Sequence, residues 1–279
     1  MKRIMTIQDI CSIGKCSGTV ALPIISAAGV ETGIIPTAVL STHTMFSKYT
    51  FCDLTGEIQK ISDALLEQAI DFDAVYTGYL GSFEQLSLIS DFIDRYKTEK
   101  NLVLIDPVMA DNGRLYPGFT PEFAAEMTRL VSKADLVIPN LTEVSFMLGI
   151  PYNESYDEEY VRDVLRRLTA LGCPTAAITG ISFEADKIGV YYYDARSDKY
   201  FYYCNEKLPV SYHGTGDIFA SATLGGLMRG LSPERALTLA VDFTLECMKR
   251  TVADKDSRFY GVNFEEALPM YIERINAEC

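Results

Sequence analysis

The chain alternates short β-rich runs with longer helical patterns, and nearly every β-rich run ends in polar, glycine-marked residues. The runs are KRIMTIQ (2–8), TGIIPTAVL (32–40), AVYTG (74–78), LVLIDP (102–107), DLVIP (135–139) and TAAITG (175–180). Helical patterns occupy 17–28, 55–70, 82–97, 121–132, 142–148 and 157–171. Within 55–70, Ile58, Ile61, Leu65, Leu66 and Ala69 recur at the spacing that places apolar side chains on one helix face. Strands separated by helices suit crossover connections, which join strands in parallel. The expected fold class is therefore α/β: a central, mostly parallel β-sheet flanked by helices on both faces.

After residue 180 the pattern changes. KIGVYYYDARSDKYFYYC (187–204) is two β-rich runs around the polar turn DARSDK, a late β-hairpin whose tyrosines are expected to pair across strands. Three C-terminal helices follow at about 216–229, 232–251 and 263–276, with Ser232-Pro233 as N-cap and first-turn proline of the second. No linker, repeat or low-complexity stretch interrupts the 279 residues, so one domain spanning 1–279 is expected.

A formal net charge of −13 argues against nucleic-acid binding, which needs concentrated Lys and Arg. An anionic ligand must therefore be held locally, for which backbone amides at a helix start are suited. The seven cysteines are scattered, odd in number and without a CxxC pair, as expected of reduced thiols in a cytoplasmic protein. With only two histidines, a dedicated zinc site is not expected. The N-terminal stretch meets polar residues too early for a signal-peptide core, and no segment has the apolar length to span a bilayer.

In open α/β sheets ligands bind beyond the carboxyl ends of the strands. There the chain places QDICSIGKCSG, LSTHT, GYLGS, DPVMADNG, PNLTE and TGIS. Ser17, Ser82 and Thr142 are candidate helix caps. Caps do not require the pairs Asp106 with Asp111, or Asn140 with Glu143. In HGTGD, the amides of Gly214, Thr215, Gly216 and Asp217 would point into the space before a helix, where the dipole favours an anion. Asp217 reads two ways: a first-turn acid that stabilises the helix, or a base that takes the proton of an attacking hydroxyl. Cys11 and Cys16 read as small pocket or packing residues, and Lys15 and Lys48 as solvated surface charges ahead of the alternative, phosphate partners in the substrate loops.

Taken in order, IQDICSIGKCSG, STHTMFSKYTF, GYLGS, DPVMADNGRLY, PNLTE and HGTGD resemble the pyridoxal (vitamin B6) kinases of the ribokinase-like superfamily. GTGD and the DPV–NxxE pair mark the superfamily; the HT loop, GYLGS and DPVMAD point to the B6 branch. The resemblance implies ATP-dependent phosphorylation of the 5′-hydroxymethyl group of pyridoxal, pyridoxamine or pyridoxine. It implies Asp217 as general base and Gly214, Thr215 and Gly216 as anion hole. Asp106, Asp111, Asn140 and Glu143 match positions that organise magnesium and the ATP phosphates, with Asp106 and Glu143 nearest the metal, partly through water. Thr179 and Tyr116 match nucleotide contacts. His43, Thr44 and Tyr79 match the holders of the pyridine ring, His43 in a loop expected to be exposed. ATP as co-substrate, Mg2+, a monovalent cation such as K+, and a homodimer are further implications.

Asp9-Ile10 stands where the family reads Ser-His, which makes Asp9 a candidate for pairing with the ring nitrogen, a ring hydroxyl or an amine. The runner-up enzyme is a hydroxymethylpyrimidine kinase of thiamine metabolism, which commonly carries Cys in place of the GTGD aspartate. A sugar kinase would show a Gly-Gly pair after the second strand, absent from TGIIPTAVLST. The non-enzymatic alternative is a protein that buffers a B6 vitamer, for which a base beside an anion hole has no use.

Overall fold

The computed structural model describes residues 1–278; Cys279, the last of the seven cysteines, lies outside them. The first half of the chain forms β1 (Arg3–Ile13), α1 (Gly18–Ala27), β2 (Glu31–Thr42), β3 (Phe51–Asp53), α2 (Thr55–Glu67), β4 (Ala74–Thr77), α3 (Phe83–Tyr96) and β5 (Leu102–Ile105). A small hairpin, β6 (Ala110–Asp111) and β7 (Arg114–Leu115), precedes α4 (Pro121–Val131), β8 (Leu136–Val137), α5 (Leu141–Leu148) and α6 (Glu158–Thr169). The chain ends with β9 (Thr175–Ile181), β10 (Lys187–Asp194), β11 (Lys199–Glu206), α7 (Thr215–Met228), α8 (Pro233–Ala253) and α9 (Phe264–Glu278).

Nine strands make one sheet in the order β11-β10-β9-β8-β5-β4-β1-β2-β3. Strands β2, β1, β4, β5, β8 and β9 run parallel, whereas β3, β10 and β11 are antiparallel to their neighbours. Two cores cover the two faces. Ile58, Phe92, Phe123, Val144 and Leu165 bring α2 to α6 onto one face, against Ile7, Val75 and Ile105. On the other, Ile24, Phe219, Phe243 and Tyr271 bring α1 and α7 to α9 against Ile4, Tyr76 and Leu104. Each fully buried side chain of this kind contributes about 1.5–3 kcal/mol. Among the described residues no helix is long and apolar enough to cross a membrane.

The chain leaves β1 for β2 on one side and then crosses back to β4 on the other, so the strand order reverses at β1. Such a switch point opens a crevice at the carboxyl ends of the two strands. Asp9 of β1 and Tyr79, just after β4, stand there.

The expected sheet and helices are present, with three differences. β1 and β2 run on to Ile13 and Thr42, because their polar ends pair with each other (Ile10 with Val39, Ile13 with Thr42). β3, inside the expected substrate loop, pairs Phe51 with Leu40, and β6–β7 closes the loop after β5. In the late hairpin, Tyr193 stacks on Tyr200 with ring centroids 4.3 Å apart and Tyr191 on Tyr202 at 5.4 Å, the cross-strand pairing the sequence implies.

Candidate active site

The start of α7 is set by close packing. Gly214 is its N-cap at φ 84°, and a Cβ there would collide with the carbonyl oxygen of Lys15, so only glycine lets this turn lie against the β1–α1 connection. Gly216 is exposed, and a Cβ built on it meets nothing within 4 Å. The helix start leaves the amides of residues 214–217 without intrahelical acceptors. Thr215 donates its hydroxyl to the carbonyl of Tyr212 at 3.2 Å, bracing the turn. Small residues keep α7 buried nearly all round: Gly225 makes room for the Tyr271 hydroxyl, which donates to the Ala222 carbonyl at 3.1 Å.

Asp217 lies in the first turn, 8% exposed, and its Oδ1 has no hydrogen-bond partner. Burial pushes its carboxyl up to about 7; the Ser17 backbone amide opposes the rise and the charge of Asp9 adds to it. Asp217 is thus a buried first-turn acid with one oxygen that has no hydrogen-bond partner.

At the end of β5, buried Asp106 has its proton affinity raised well above the usual range, first by burial and then by the charges of Glu143 and Asp217. Asn140 and Glu143 form a reciprocal capping box on α5. The Asn140 side chain accepts from the Glu143 amide at 3.0 Å, and Glu143 Oε2 accepts from the Asn140 amide at 2.8 Å. The expectation that caps do not account for this pair is therefore corrected. Glu143 Oε1 also accepts from the Met109 amide at 3.0 Å, and Asn140 Nδ2 donates to the Ala110 carbonyl at 2.8 Å, which locks the β5–β6 loop onto α5. Burial still pushes the Glu143 carboxyl up to about 7 against those hydrogen bonds.

Thr142 is not a cap; its hydroxyl accepts from the Gly113 amide at 3.0 Å. Asp111 is exposed and bonds to Asn112 in the β6–β7 turn rather than to Asp106. The Tyr116 hydroxyl has its proton affinity raised by burial and by Glu143, Asp111, Asp106 and Asp217 together, so it lies within electrostatic reach of all four acids. Thr179 pairs with Asn140 in an isolated parallel bridge and donates its amide to the Pro139 carbonyl at 2.9 Å. The ends of β5 and β6 and the starts of α5 and α7 thus converge on one acidic cluster.

At the switch point, Asp9 is 6% exposed, and burial raises its carboxyl against the opposing hydroxyl of Ser17 and thiol of Cys11, whose Sγ lies 3.5 Å from Oδ2. Tyr79 is half-buried with its ring 5.5 Å from that of Phe119. Burial raises its hydroxyl, and Asp9 adds to the rise. His43 is buried rather than exposed. Its Nε2 bonds to the Tyr260 carbonyl at 3.0 Å and its Nδ1 accepts from the Met45 amide at 3.3 Å. Thr44 is exposed beside it.

Lys15 is not a solvated charge either: its Nζ bonds to Asn263 at 3.1 Å and Glu265 at 2.9 Å. Ser17 gives α1 no side-chain cap, while Ser82 caps α3 by accepting from the Gln85 amide at 3.1 Å. Cys11 and Cys16 are buried, as packing residues should be.

The sequence reading passed over His213 and the segment 259–261. The His213 ring lies 4.6 Å from that of His43, and burial together with His43 lowers it to about 4, so it is neutral at neutral pH. Its place directly before GTGD was the available signal. Phe46 packs on Phe259 and Tyr260, with centroids 4.9 and 5.6 Å away, and nothing local in the sequence announces that contact.

The family described as phosphomethylpyrimidine kinase matches residues 22–259. Among solved structures, a Bacteroides thetaiotaomicron protein provisionally assigned as a phosphomethylpyrimidine kinase, crystallised with pyridoxal, superposes with a TM-score of 0.92. The two are 38% identical over 97% of this chain and 95% of that one. The pyridoxal kinase of Lactobacillus plantarum superposes with a TM-score of 0.91 at 28% identity, over 99% of both chains. The pyridoxal kinase of Dictyostelium discoideum is 25% identical over 95% of this chain and 94% of its own length. The central sheet, the acidic cluster at its carboxyl edge and these likenesses agree: the chain is a kinase of the phosphomethylpyrimidine kinase family, in the group of ribokinase-like enzymes that includes the pyridoxal kinases.

Proposed function

We propose that the protein transfers the γ-phosphoryl group of ATP to the 5′-hydroxymethyl group of a B6 vitamer. The observation that carries this reading is Asp217, a buried carboxyl with a free Oδ1 beside the open amides of the α7 start. A carboxylate there repels a resting phosphate, but it is useful when it accepts the proton of the attacking hydroxyl. The amides of Gly214, Thr215 and Gly216 then stabilise the charge on the transferring group. The loops 41–52 and 111–118 exclude water, which would otherwise compete for the phosphoryl group. Tyr79 supplies an aromatic wall for the pyridine ring, and Asp9 selects among ring nitrogen, ring hydroxyl and amine. Tyr116, Asp111, Asn140 and Thr179 form the nucleotide side.

The donor set suits magnesium. Asp106 and Glu143 are buried, mutually repelling and in no ion pair among the described residues. No group of three or more His, Cys, Asp or Glu side chains in those residues could hold a metal ion. That combination fits a cation that takes most of its ligands from phosphate and water. Asp106 and Glu143 would hold it, Glu143 through water because its oxygens already serve two amides. Bound there, the ion supplies charge neutralisation for the phosphates.

The pyridoxal-bound relative and the named pyridoxal kinases favour a B6 vitamer over hydroxymethylpyrimidine, and Asp217 in place of Cys favours it further. An ATP-consumption assay with pyridoxal, pyridoxamine, pyridoxine and hydroxymethylpyrimidine, with and without magnesium and potassium, tests this. Turnover with hydroxymethylpyrimidine alone moves the assignment to thiamine metabolism; turnover with none leaves a vitamer-binding protein. Self-association belongs to the same proposal. Ile13, Val39 and Phe51 expose apolar surface on β1, β2 and edge strand β3, where a second copy would cover it. A monomer by sedimentation equilibrium would remove that part.

A further inference from the structure

Gln85, in the first turn of α3, is 3% exposed and stands three residues after the cap Ser82. That spacing ordinarily makes a capping box, in which the glutamine oxygen reaches back to the amide of the capping residue itself. Half of the box is present, since the Ser82 hydroxyl accepts from the Gln85 amide. The other half is displaced by one residue: Gln85 Oε1 accepts from the Gly81 amide at 2.8 Å. The side-chain nitrogen leaves the helix altogether. It donates to the Thr37 carbonyl of β2 at 3.2 Å and to the Thr55 hydroxyl at the start of α2 at 2.9 Å. Helix capping accounts for neither of these bonds.

Both ends of this tie lie against the vitamer side of the crevice. Gly81 is the seat of Tyr79: the atoms nearest to a Cβ built on Gly81 belong to the Tyr79 ring, Cε1 at 3.4 Å and the hydroxyl oxygen at 3.5 Å. Thr37 belongs to an irregularity in β2. Between the pairs Gln8–Pro36 and Ile10–Val39, β2 carries one residue more than β1, so Thr37 and Ala38 together stand opposite Asp9. An extra residue of this kind bends its strand and re-aims the side chains around it. The Thr37 carbonyl accepts there from the Leu54 amide at 3.0 Å as well as from Gln85. The oxygen and the nitrogen of the Gln85 carboxamide thus join the Tyr79 turn to the strand beside Asp9.

We infer that Gln85 is a positioning residue, which fixes the Tyr79 turn against the irregular stretch of β2 opposite Asp9 and so sets the width of the vitamer site. This rests on the proposed roles of Tyr79 and Asp9. Gln85 acts through the Gly81 amide and the Thr37 carbonyl. A hydrocarbon side chain of similar length fills the same buried space and offers neither group a partner.

The test compares wild type, Gln85→Met and Thr55→Val by melting temperature, hydrogen exchange at the Gly81 amide, calorimetric titration with pyridoxal and steady-state kinetics. Gln85→Met removes the bonds to Gly81, Thr37 and Thr55 together. Thr55→Val removes only the last of these and leaves the ties to Gly81 and Thr37. Both variants should melt below the wild type. Gln85→Met should speed exchange at Gly81 and weaken pyridoxal by about tenfold each, with KM for ATP within about twofold, the scale of one hydrogen bond. Thr55→Val should keep the Gly81 exchange and the pyridoxal affinity within about twofold of wild type. Wild-type pyridoxal affinity in Gln85→Met, an unmoved Gly81 exchange, or an equal loss of affinity in Thr55→Val would each overturn the inference. Should Gln85→Met not fold, Gln85→Glu takes its place, because it keeps an acceptor for Gly81 and loses the donors to Thr37 and Thr55. Pyridoxal should then weaken while Gly81 stays protected, and wild-type affinity would overturn the inference equally. A wild type that neither binds nor phosphorylates any vitamer defeats the functional reading instead, and the Gly81 exchange then decides whether Gln85 holds the turn.

Discussion

His43 Nε2 lies 3.0 Å from the carbonyl oxygen of Tyr260, a partner 217 residues away in sequence. With Nδ1 accepting from the Met45 amide, Nε2 carries the proton, and both ring nitrogens are spent on backbone. The ring is thereby arranged to orient the loop after β2 against the segment between α8 and α9. His43→Ala deletes two hydrogen bonds worth about 0.5–1.5 kcal/mol each. It should lower the melting temperature and raise the vitamer KM more than it lowers kcat. Thermal melts and steady-state kinetics check this; wild-type values of both would leave the tie without consequence.

Asp217→Asn should lower kcat by about 10²–10⁴, the typical worth of a general base. Nucleotide affinity, measured by titration calorimetry, should stay close to wild type. Near-normal turnover would remove Asp217 from the chemistry.

The pH dependences of stability and of activity should run in opposite directions. Asp217 and Glu143 are pushed up to about 7 in the folded protein, from ordinary values of 3.8 and 4.5. Below about pH 4 both are protonated whether the chain is folded or not, and their contribution to stability is fully present. As pH rises to about 7 the unfolded chain releases those protons first, so stability falls across that window. In its proposed role as base Asp217 must be ionised, so kcat/KM should rise over the upper part of the same window. Denaturant unfolding and pH–rate profiles between about pH 4 and 8 check both slopes.

Two glycines of one turn should behave differently. Gly214→Ala places a methyl against the Lys15 carbonyl at positive φ and should destabilise the fold. Gly216→Ala meets no neighbour and should melt at or above the wild-type temperature, because alanine favours the helix by about 0.5–1 kcal/mol. Its methyl nevertheless enters the open space beside the amides, so turnover should fall. Equal stability losses in the two variants would contradict this.

Asp9→Ser introduces the residue type that the resemblance to the pyridoxal kinases implies there and should change the ratios of kcat/KM among pyridoxal, pyridoxamine and pyridoxine. Parallel changes for all three vitamers would take Asp9 out of substrate selection.

Much of this architecture is legible in the sequence because periodicity is local. The runs at 74–78 and 102–107 announce β4 and β5, and the polar residues after them announce the acidic edge. Asn140 and Glu143 carry an N-x-x-E spacing that capping alone explains, so their reading as site residues needed the buried Asp106 beside them. What stayed hidden has no local signature. β6 and β7 are two residues each, too short for any alternation to register. The burial of His43 depends on a carbonyl in a distant segment, and the Lys15 contacts on Asn263, 248 residues away.

The packing of Gly214 against Lys15 also bears on the order of events during synthesis. β1 and β4 to β9 emerge first, so Asp9 and Asp106 are held in a sheet that still lacks Asp217. One face of that sheet, with Ile4, Tyr76, Leu104 and Ala177, has only α1 to cover it until α7, α8 and α9 arrive. Such a face is prone to aggregation while it waits. Docking of α7 onto the β1–α1 turn therefore begins to close that face in the same step that brings Asp217 to the acids of the sheet edge.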